Sequence, residues 1–342
     1  MELQLHTTFP SELEPEWNSL LAESSIHVPF LRHEYLKAWW QTRGGGEWPA
    51  EARLVVVTAR EKGHLVGIAP LFFVPDWQGK PCLMLLGSIE VSDYLDLLAD
   101  KAKLSSFIDA LLPFLAQESV DLPHWERLDL YNFLDSSPSL AALETAAQKM
   151  NWSYQLEQLQ HSPYIKLPGD WETYLAGIDK KQRHEIRRKM RRAQESDAAV
   201  RWYVVKDADT IEAEIQAFMD LMAQDPDKAR FLTPAMRDHM LLTVRCAFEA
   251  GCLHLAFLEI EGKKAAGYLS FDYLDRLWVY NSGIDRSFTE YSPGWVLLGE
   301  LLKWANDNQR SAFDFMRGDE EYKYRFGATD RFVMRVKIDK EG

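Results

Sequence analysis

The stretch Leu253–Phe326 decides how the chain is read: LHLAFLEIEGKKAAGYLSFDYLDRLWVYNSGIDRSFTEYSPGWVLLGELLKWANDNQRSAFDFMRGDEEYKYRF. Two apolar, β-rich runs, LHLAFLEI and AAGYLSFDY, flank the polar turn Glu261-Gly262-Lys263-Lys264, the pattern of a hairpin. RLWVYNSGI supplies a further strand, DRSFTEYSPG a loop, WVLLGELLKWANDN an amphipathic helix and AFDFM a short strand. Strand, hairpin, strand, loop, helix and strand in that order build a cleft with a helix start aimed into it. The first N–H groups of a helix are unpaired and its dipole favours an anion, so such a start can hold phosphate.

Outside this stretch the bulk properties are those of a folded soluble protein, and composition by itself selects no fold. Of 342 residues, 46% are hydrophobic and 27% charged, which excludes a disordered polymer. Three cysteines (Cys82, Cys246, Cys252) form neither a disulfide framework nor CxxC arms, and a reduced, cytoplasmic setting is the expectation. The N-terminal segment is acidic, without the apolar core of a secretory signal, and no apolar run is long enough to span a bilayer. The net charge of −13 is uneven: residues 1–165 hold 11 Lys/Arg against 22 Asp/Glu, and residues 166–342 hold 28 against 30. An extended polyanion is therefore not expected on the first half, and an anionic ligand belongs with the second.

The first half reads as a strand near Leu3–Thr8, helices after Pro10-Ser11 and near His33–Thr42, a loop at Gly44-Gly45-Gly46, a hairpin, the strand CLMLLG, a helix over Leu104–Glu118, the strand ERLDLYNF and a helix over Ser137–Met150. WSYQLEQLQHSPYIKL crosses to the second half. That half opens with DWETYLAGIDKKQRHEIRRKMRRAQES, read as one long helix with Leu175, Ile178, Ile186, Met190 and Ala193 on its buried stripe. Eight cations lie within Lys180–Arg192, more than solubility requires. A solvated face paired with the acidic first half accounts for them equally well.

The hairpin recurs. LVVVTAREKGHLVGIAPLFF in the first half matches LHLAFLEIEGKKAAGYLSFD, with Gly67 set against Gly267. In both copies a helix follows (Leu104–Glu118, Trp295–Asn308) and then a strand (Leu128–Leu130, Phe313–Phe315). Two diverged copies of one α/β unit are expected.

The elements so placed resemble the GNAT acetyltransferase fold, and more narrowly the CelD-like acetyltransferases of cellulose and exopolysaccharide biosynthesis; the Fem-type tandem GNAT transferases are relatives. The resemblance rests on the basic helix KKQRHEIRRKMRRA, the hairpin ending Ala266-Gly267-Tyr268, the helix start Ser292-Pro293-Gly294, and Asp314-Phe315 followed by Arg317-Gly318-Asp319-Glu320-Glu321-Tyr322-Lys323. Trp39-Trp40 and Ser92-Asp93-Tyr94-Leu95-Asp96 add to it in the first half. The loop Arg286–Gly294 keeps one glycine where ordinary members carry a glycine-rich run.

The resemblance implies a tandem GNAT-like (acyl-CoA N-acyltransferase-like) α/β protein with mixed central sheets flanked by helices. Residues 1–165 would be a scaffold or acceptor-binding domain and 166–342 an acetyltransferase domain. Acetyl-CoA would be the co-substrate, with no metal, and the acceptor an amine or hydroxyl of a sugar or polysaccharide precursor. Association with membrane polysaccharide machinery is open, as is the oligomeric state. The alternatives are Fem-like aminoacyl transfer from tRNA and a non-catalytic scaffold; nucleic acid is the least expected partner, since no interleaved aromatics accompany the cations.

Acyl transfer needs donors for an oxyanion, a route for the acceptor's proton, and groups that hold the donor's phosphates. Ser292 suits a cap, Pro293 the first helical position and Gly294 close approach, so these three are candidate cofactor contacts with Arg183 and Arg187 of the basic helix. An ordinary capped helix explains the same residues. The catalytic candidates are Asp314, to orient or deprotonate an acceptor, Tyr322, to donate to the leaving thiolate, and Lys323, to meet a phosphate or carboxylate. Strand-end pairing and surface turns are the plain readings of each. Other chemistries lack their motifs: His184-Glu185 has no second helical His at zinc spacing, and Ser292 has no GxSxG elbow.

Overall fold

A computed structural model describes residues 1–117 and 119–340, so Glu118, the expected end of a helix, and residues 341–342 of the expected second domain lie outside it. The chain forms two compact units: Met1–Gln160 together with the C-terminal segment from Phe332, and His161–Arg331. Along the first unit run β1 (Glu2–His6), α1 (Glu14–Glu23), α2 (His33–Gly46), β2 (Arg53–Glu61), β3 (His64–Trp77), β4 (Lys80–Leu85), β5 (Leu98–Ala99), α3 (Leu104–Ala116), β6 (Arg127–Leu134), α4 (Pro138–Lys149) and β7 (Ser153–His161). Then follow β8 (Tyr164–Lys166), α5 (Trp171–Gly177), α6 (Lys180–Gln194), β9 (Val200–Val204), α7 (Ile211–Met222), α8 (Pro226–Phe231) and α9 (Pro234–Glu249). The stretch quoted first becomes β10 (Leu253–Ile260), β11 (Lys263–Tyr273), β12 (Arg276–Ile284), α10 (Pro293–Asp307), β13 (Ala312–Asp314) and α11 (Glu321–Arg325). β14 (Phe332–Asp339) closes the chain.

The two sheets repeat one order. The first runs β1-β2-β3-β4-β6-β14-β7 and the second β8-β13-β12-β11-β10-β9. Each contains a parallel pair, β4 with β6 and β12 with β13, beside antiparallel pairs such as β2 with β3 and β10 with β11, so both are mixed. The outermost partners differ from the expected division. β14, expected in the second domain, pairs antiparallel with β6 of the first sheet. The physical reason is a buried ion pair: Arg335 on β14 donates to both carboxylate oxygens of Asp129 on β6 at 2.7 and 2.6 Å.

The repeat also has an internal ruler that shifts the expected alignment by one residue. In β2–β3 the register slips between Ala59 and Arg60, leaving Gly67 opposite Ala59; in β10–β11 it slips between Leu258 and Glu259, leaving Ala266 opposite Leu258. Each hairpin therefore carries its bulge on the returning strand, and Gly67 corresponds to Ala266, not Gly267.

Strand alternation feeds two cores in the second unit. Ala256, Leu258 and Ile260 of β10 join Leu175, Ile186, Leu297 and Phe313 on one face. Leu255 and Phe257 join Ile215, Phe218 and Met240 on the other. Close approach needs glycine in two places: a β carbon on Gly299 of α10 would lie 2.8 Å from Met190 Sδ of α6, and one on Gly283 of β12 would lie 2.6 Å from the α7 backbone at Leu221–Met222. The expected long basic helix is broken instead at Ile178. Asp179 accepts from the Lys181 and Gln182 N–H groups, so its carboxylate starts a new helix where the sequence showed only Gly177 as a weak point.

In the first unit Asp96 is buried and accepts from Ser137 Oγ and Ser139 Oγ, both at 2.5 Å, and from the Leu97 N–H. Burial outweighs these bonds and pushes its carboxyl up to about 7. Between the ordinary carboxylate range and pH 7 the folded state thus holds a proton that the unfolded chain has lost. Asp96 consequently subtracts stability as pH rises through that window, at roughly 1.4 kcal/mol per pH unit, and nothing further above it. Asp96→Asn is expected to remove this slope, so wild-type minus variant unfolding free energy, measured from pH 4 to 8, should fall to pH 7 and then level.

Candidate functional site

The site begins where β12 loses its neighbour. β13 pairs with β12 only from Arg276 to Trp278, yet β12 continues to Ile284. Asp314 sets that limit. It is fully buried at the end of β13, one oxygen accepts from the Met316 N–H at 2.9 Å, the other is paired with Arg331, and Met316 turns to a φ of 55°. On its other edge β13 runs on for one more residue, where the Phe315 N–H bonds the Pro163 carbonyl just before β8. The Arg331 guanidinium also lies 4.7 Å from the Tyr164 ring centre.

Two further irregularities fall on the exposed length of β12. Leu269 of β11 stands opposite Asn281 and Ser270 opposite Val279, so Tyr280 is the extra residue of a bulge. Bulges re-aim backbone groups and side chains, and they recur beside active sites. The Asn281 side chain then folds back to accept the Ser282 N–H at 2.8 Å.

The start of α10 abuts the far end of this strand: a β carbon on Gly294 would lie 2.4 Å from Ile284 Cδ1. Pro293 occupies the first turn as expected, but Ser292 does not cap. It sits in the left-handed region at φ 52°, where a capping residue ordinarily has extended φ and ψ, and it makes no side-chain cap bond. Asp170, Asp179, Asp225 and Thr233 cap α5, α6, α8 and α9, whereas the α10 start, like that of α7, has no side-chain acceptor. The Gly294 carbonyl accepts from the Tyr268 hydroxyl at 3.4 Å, tying the helix to β11, and Trp295 Nε1 is buried without an acceptor.

Tyr268 and Tyr322 lie near enough for the first to influence the ionisation of the second. Burial raises both phenols well above the ordinary range; for Tyr322 the neighbouring Tyr268 and Glu320 add to the effect. Both are therefore neutral hydroxyls at physiological pH, and that of Tyr322 makes no hydrogen bond among the described residues. Lys323 lies just past it and is 3% exposed. Its ammonium donates to the Arg317 and Gly318 carbonyls at 2.7 and 3.0 Å and pairs with Glu320 at 2.8 Å. It fixes the loop that presents Glu320.

The basic helix divides in use. Arg183 donates to the Leu175 and Ala176 carbonyls, and Arg187 pairs with Glu172, so both hold α5 against α6. Lys189 lies 4.2 Å above the Trp295 ring. Arg188, which pairs with Glu185, lines with Arg191 and Arg192 an open cleft of about 500 Å³ that also holds Glu195 and Asp197 and is bounded by Glu290 and Tyr291, in the 3₁₀ segment just before α10. Arg191, Arg192, Lys180 and Lys181 are exposed, and no acidic partner is present for any of them among the described residues.

The matching gap of the first unit is filled. The loop after β4 folds inward with Val91, Ser92, Tyr94 and Leu95 buried; Asn132 Nδ2 donates to the Ile89 and Ser92 carbonyls, and the Leu95 N–H bonds the Asn132 carbonyl. Among the described residues no group of His, Cys, Asp and Glu is placed to hold a metal, and no helix is long and apolar enough to cross a membrane.

Residues 180–324 match the family model described as an acetyltransferase (GNAT) domain. Among solved structures the chain is similar to FemX, with a TM-score of 0.66 and 12% identity over 97% of both chains. It is also similar to a conserved protein of unknown function from Bacteroides thetaiotaomicron VPI-5482, with a TM-score of 0.61 and 12% identity over 99% and 100% of the two chains. L-PGS from Bacillus licheniformis gives a TM-score of 0.54 and 12% identity over 90% and 92%. At these identities the likeness is one of fold. A comparison with curated protein sequences finds no match.

Because the Ser292 hydroxyl caps nothing, Ser292→Ala is expected to change unfolding free energy by less than about 0.5 kcal/mol, where loss of a working cap costs about 1 kcal/mol. Chemical denaturation of the two proteins measures the difference.

Proposed function

We propose that this protein transfers an acyl group, most simply acetyl, from an acyl-CoA thioester to an amine or hydroxyl of a small acceptor. The observation that carries this reading is the conjunction of an open, bulged strand edge on β12 with an uncapped helix start beside it. Such a helix start favours the diphosphate of the donor, with the Gly294 and Trp295 N–H groups free to bind it. Arg188, Arg191 and Arg192 flank the approach and supply the remaining positive charge.

In this reading the acceptor's lone pair attacks the thioester carbon, the carbonyl pair moves onto oxygen, and its return breaks the C–S bond. Tyr322, kept protonated by burial, gives its proton to the departing sulfur as its phenol oxygen takes the acceptor's proton, so the phenol is restored and the acceptor's proton is in effect carried to the thiolate. Asp314 and Lys323 act by position: the first ends β13 and opens the cleft, the second holds the Arg317–Glu320 loop. Arg183 and Arg187 likewise support the helix that carries the phosphate-facing arginines. The first unit is the scaffold, since its own gap is closed by its loop.

The resemblance to CelD-like proteins favours a saccharide or polysaccharide precursor as acceptor. A second reading, aminoacyl transfer from a charged tRNA, draws on the four unpaired cations of α6, which exceed what one diphosphate needs; it requires tRNA binding that weakens steeply with salt.

Calorimetry with acetyl-CoA tests the first reading. Binding is expected, and reversing Arg191 and Arg192 to Glu should weaken it roughly tenfold, two exposed pairs at about 0.7 kcal/mol each. Absence of heat with the wild-type protein would remove the acyl-CoA reading, and an unchanged affinity in the variant would move the phosphates away from α6.

A further inference from the structure

Lys228 takes no part in the reading above, yet it is sunk against the bulged strand. It reaches from the short helix α8 and donates to Asn281 Oδ1 at 2.9 Å and to the Ser282 carbonyl at 2.5 Å. Asn281 Oδ1 is the same atom that accepts the Ser282 N–H. Ammonium, amide and backbone are thus joined at the two residues that follow the extra residue of the bulge.

The donor count leaves a remainder. An ammonium carries three N–H groups and no acceptor. Two are spent on neutral oxygens, and none of the described residues takes the third. No carboxylate pairs with the ammonium: Asp225 accepts the Lys228 backbone N–H at 3.3 Å and is bridged to Arg286, while Glu320 is bound to Lys323. Burial lowers the ammonium's pKa, against the pull of Asp225 and Glu320. Desolvating a cation is costly unless something repays it. A staple between α8 and β12 would be made as well by a neutral donor, without that cost. Lys228 is half-buried; a fixed, partly desolvated cation with one unused donor beside a reacting carbonyl is an arrangement that stabilises a developing oxyanion.

We propose that Lys228 donates its third N–H to the acyl carbonyl oxygen of the bound thioester and stabilises the oxyanion formed there. The inference rests on the acyl-CoA reading. As the acceptor's nitrogen or oxygen bonds to the thioester carbon, the carbonyl pair moves onto the oxygen that Lys228 faces. When that pair returns, the C–S bond breaks and the sulfur leaves with its electrons. Lys228 gives up no proton at any step; it begins and ends as an ammonium. The acceptor's proton leaves by the Tyr322 route.

The test compares acetyl-CoA with S-ethyl-CoA, a thioether of equal length that lacks the carbonyl, by calorimetry on the wild-type protein, Lys228→Met and Lys228→Gln. A hydrogen bond from a charged donor should make the wild-type protein prefer acetyl-CoA by about tenfold. Lys228→Met should bind the two ligands equally while keeping the wild-type affinity for S-ethyl-CoA. Lys228→Gln keeps the stem and a neutral donor, and should show a preference below that of the wild type. Its ratio decides the matter if the Met variant does not fold. The same preference in wild type and variants, or none in the wild type, overturns the role of Lys228 while leaving acyl-CoA binding intact. Binding of neither ligand by the wild-type protein overturns the acyl-CoA reading and this one with it.

Discussion

The architecture of the candidate site depends on β13 ending at Asp314. Three residues of pairing hold it to β12, after which the Asp314 carboxylate captures the Met316 N–H and Arg331, and the chain turns away. Six residues of β12 are left without that neighbour. A sheet edge exposed inside a fold is a row of unmet donors and acceptors, which must be covered, bonded by side chains or used. Here Asn281 and Lys228 bond part of it, and α10 begins at its end. A buried ion pair between a strand and a loop thereby produces an opening some residues away. The aspartate shapes the cleft and does not line it.

The first unit makes the contrast visible. Its sheet repeats the strand order, the parallel pair and the bulged hairpin, but its β4–α3 loop turns inward, and Asn132 holds that loop in place. The second unit's loop, Asp285–Ser292, buries none of its residues fully and ends in an uncapped helix. One architecture thus supports two outcomes, a closed gap and an open one. Local hydrogen bonding of a single connection decides between them. The outer strands show the same economy: β14 and β8 occupy equivalent places beside β6 and β13, although they come from different parts of the chain.

Much of the fold was legible because it is written in short-range patterns. The hairpins announced themselves by β-rich runs around Arg60–Gly63 and Glu261–Lys264, and the repeat followed from their recurrence. The break at Ile178 was missed because cations continue at helical spacing across it, while Asp179, the capping residue, looks like one more charge. The one-residue slip between Gly67 and Ala266 was hidden because a matching glycine is a stronger visual signal than a bulge. In the candidate site, Tyr322 and the Ser292–Gly294 turn were legible as a hydroxyl and a helix start. For Asp314 the plain reading, pairing at a strand end, was legible, but its partner Arg331 was not; Lys323 read as a surface turn, since burial and partners are tertiary facts. Lys228 left no signal at all: in DPDKARF it is one lysine in a polar loop, and only the fold carries it to Asn281. Tyr280 was equally silent, because a bulge depends on the register of two strands.

The central claim is that the gap beside β12, and not any other surface of the chain, takes the acyl donor. A crystal structure of the wild-type protein with acetyl-CoA tests it most directly. The account predicts the diphosphate at the Gly294 and Trp295 N–H groups and the thioester carbonyl beside Tyr280–Ser282, with the sulfur within reach of the Tyr322 hydroxyl. Density for the ligand on the first unit, or on the second unit away from the α10 start, would contradict it.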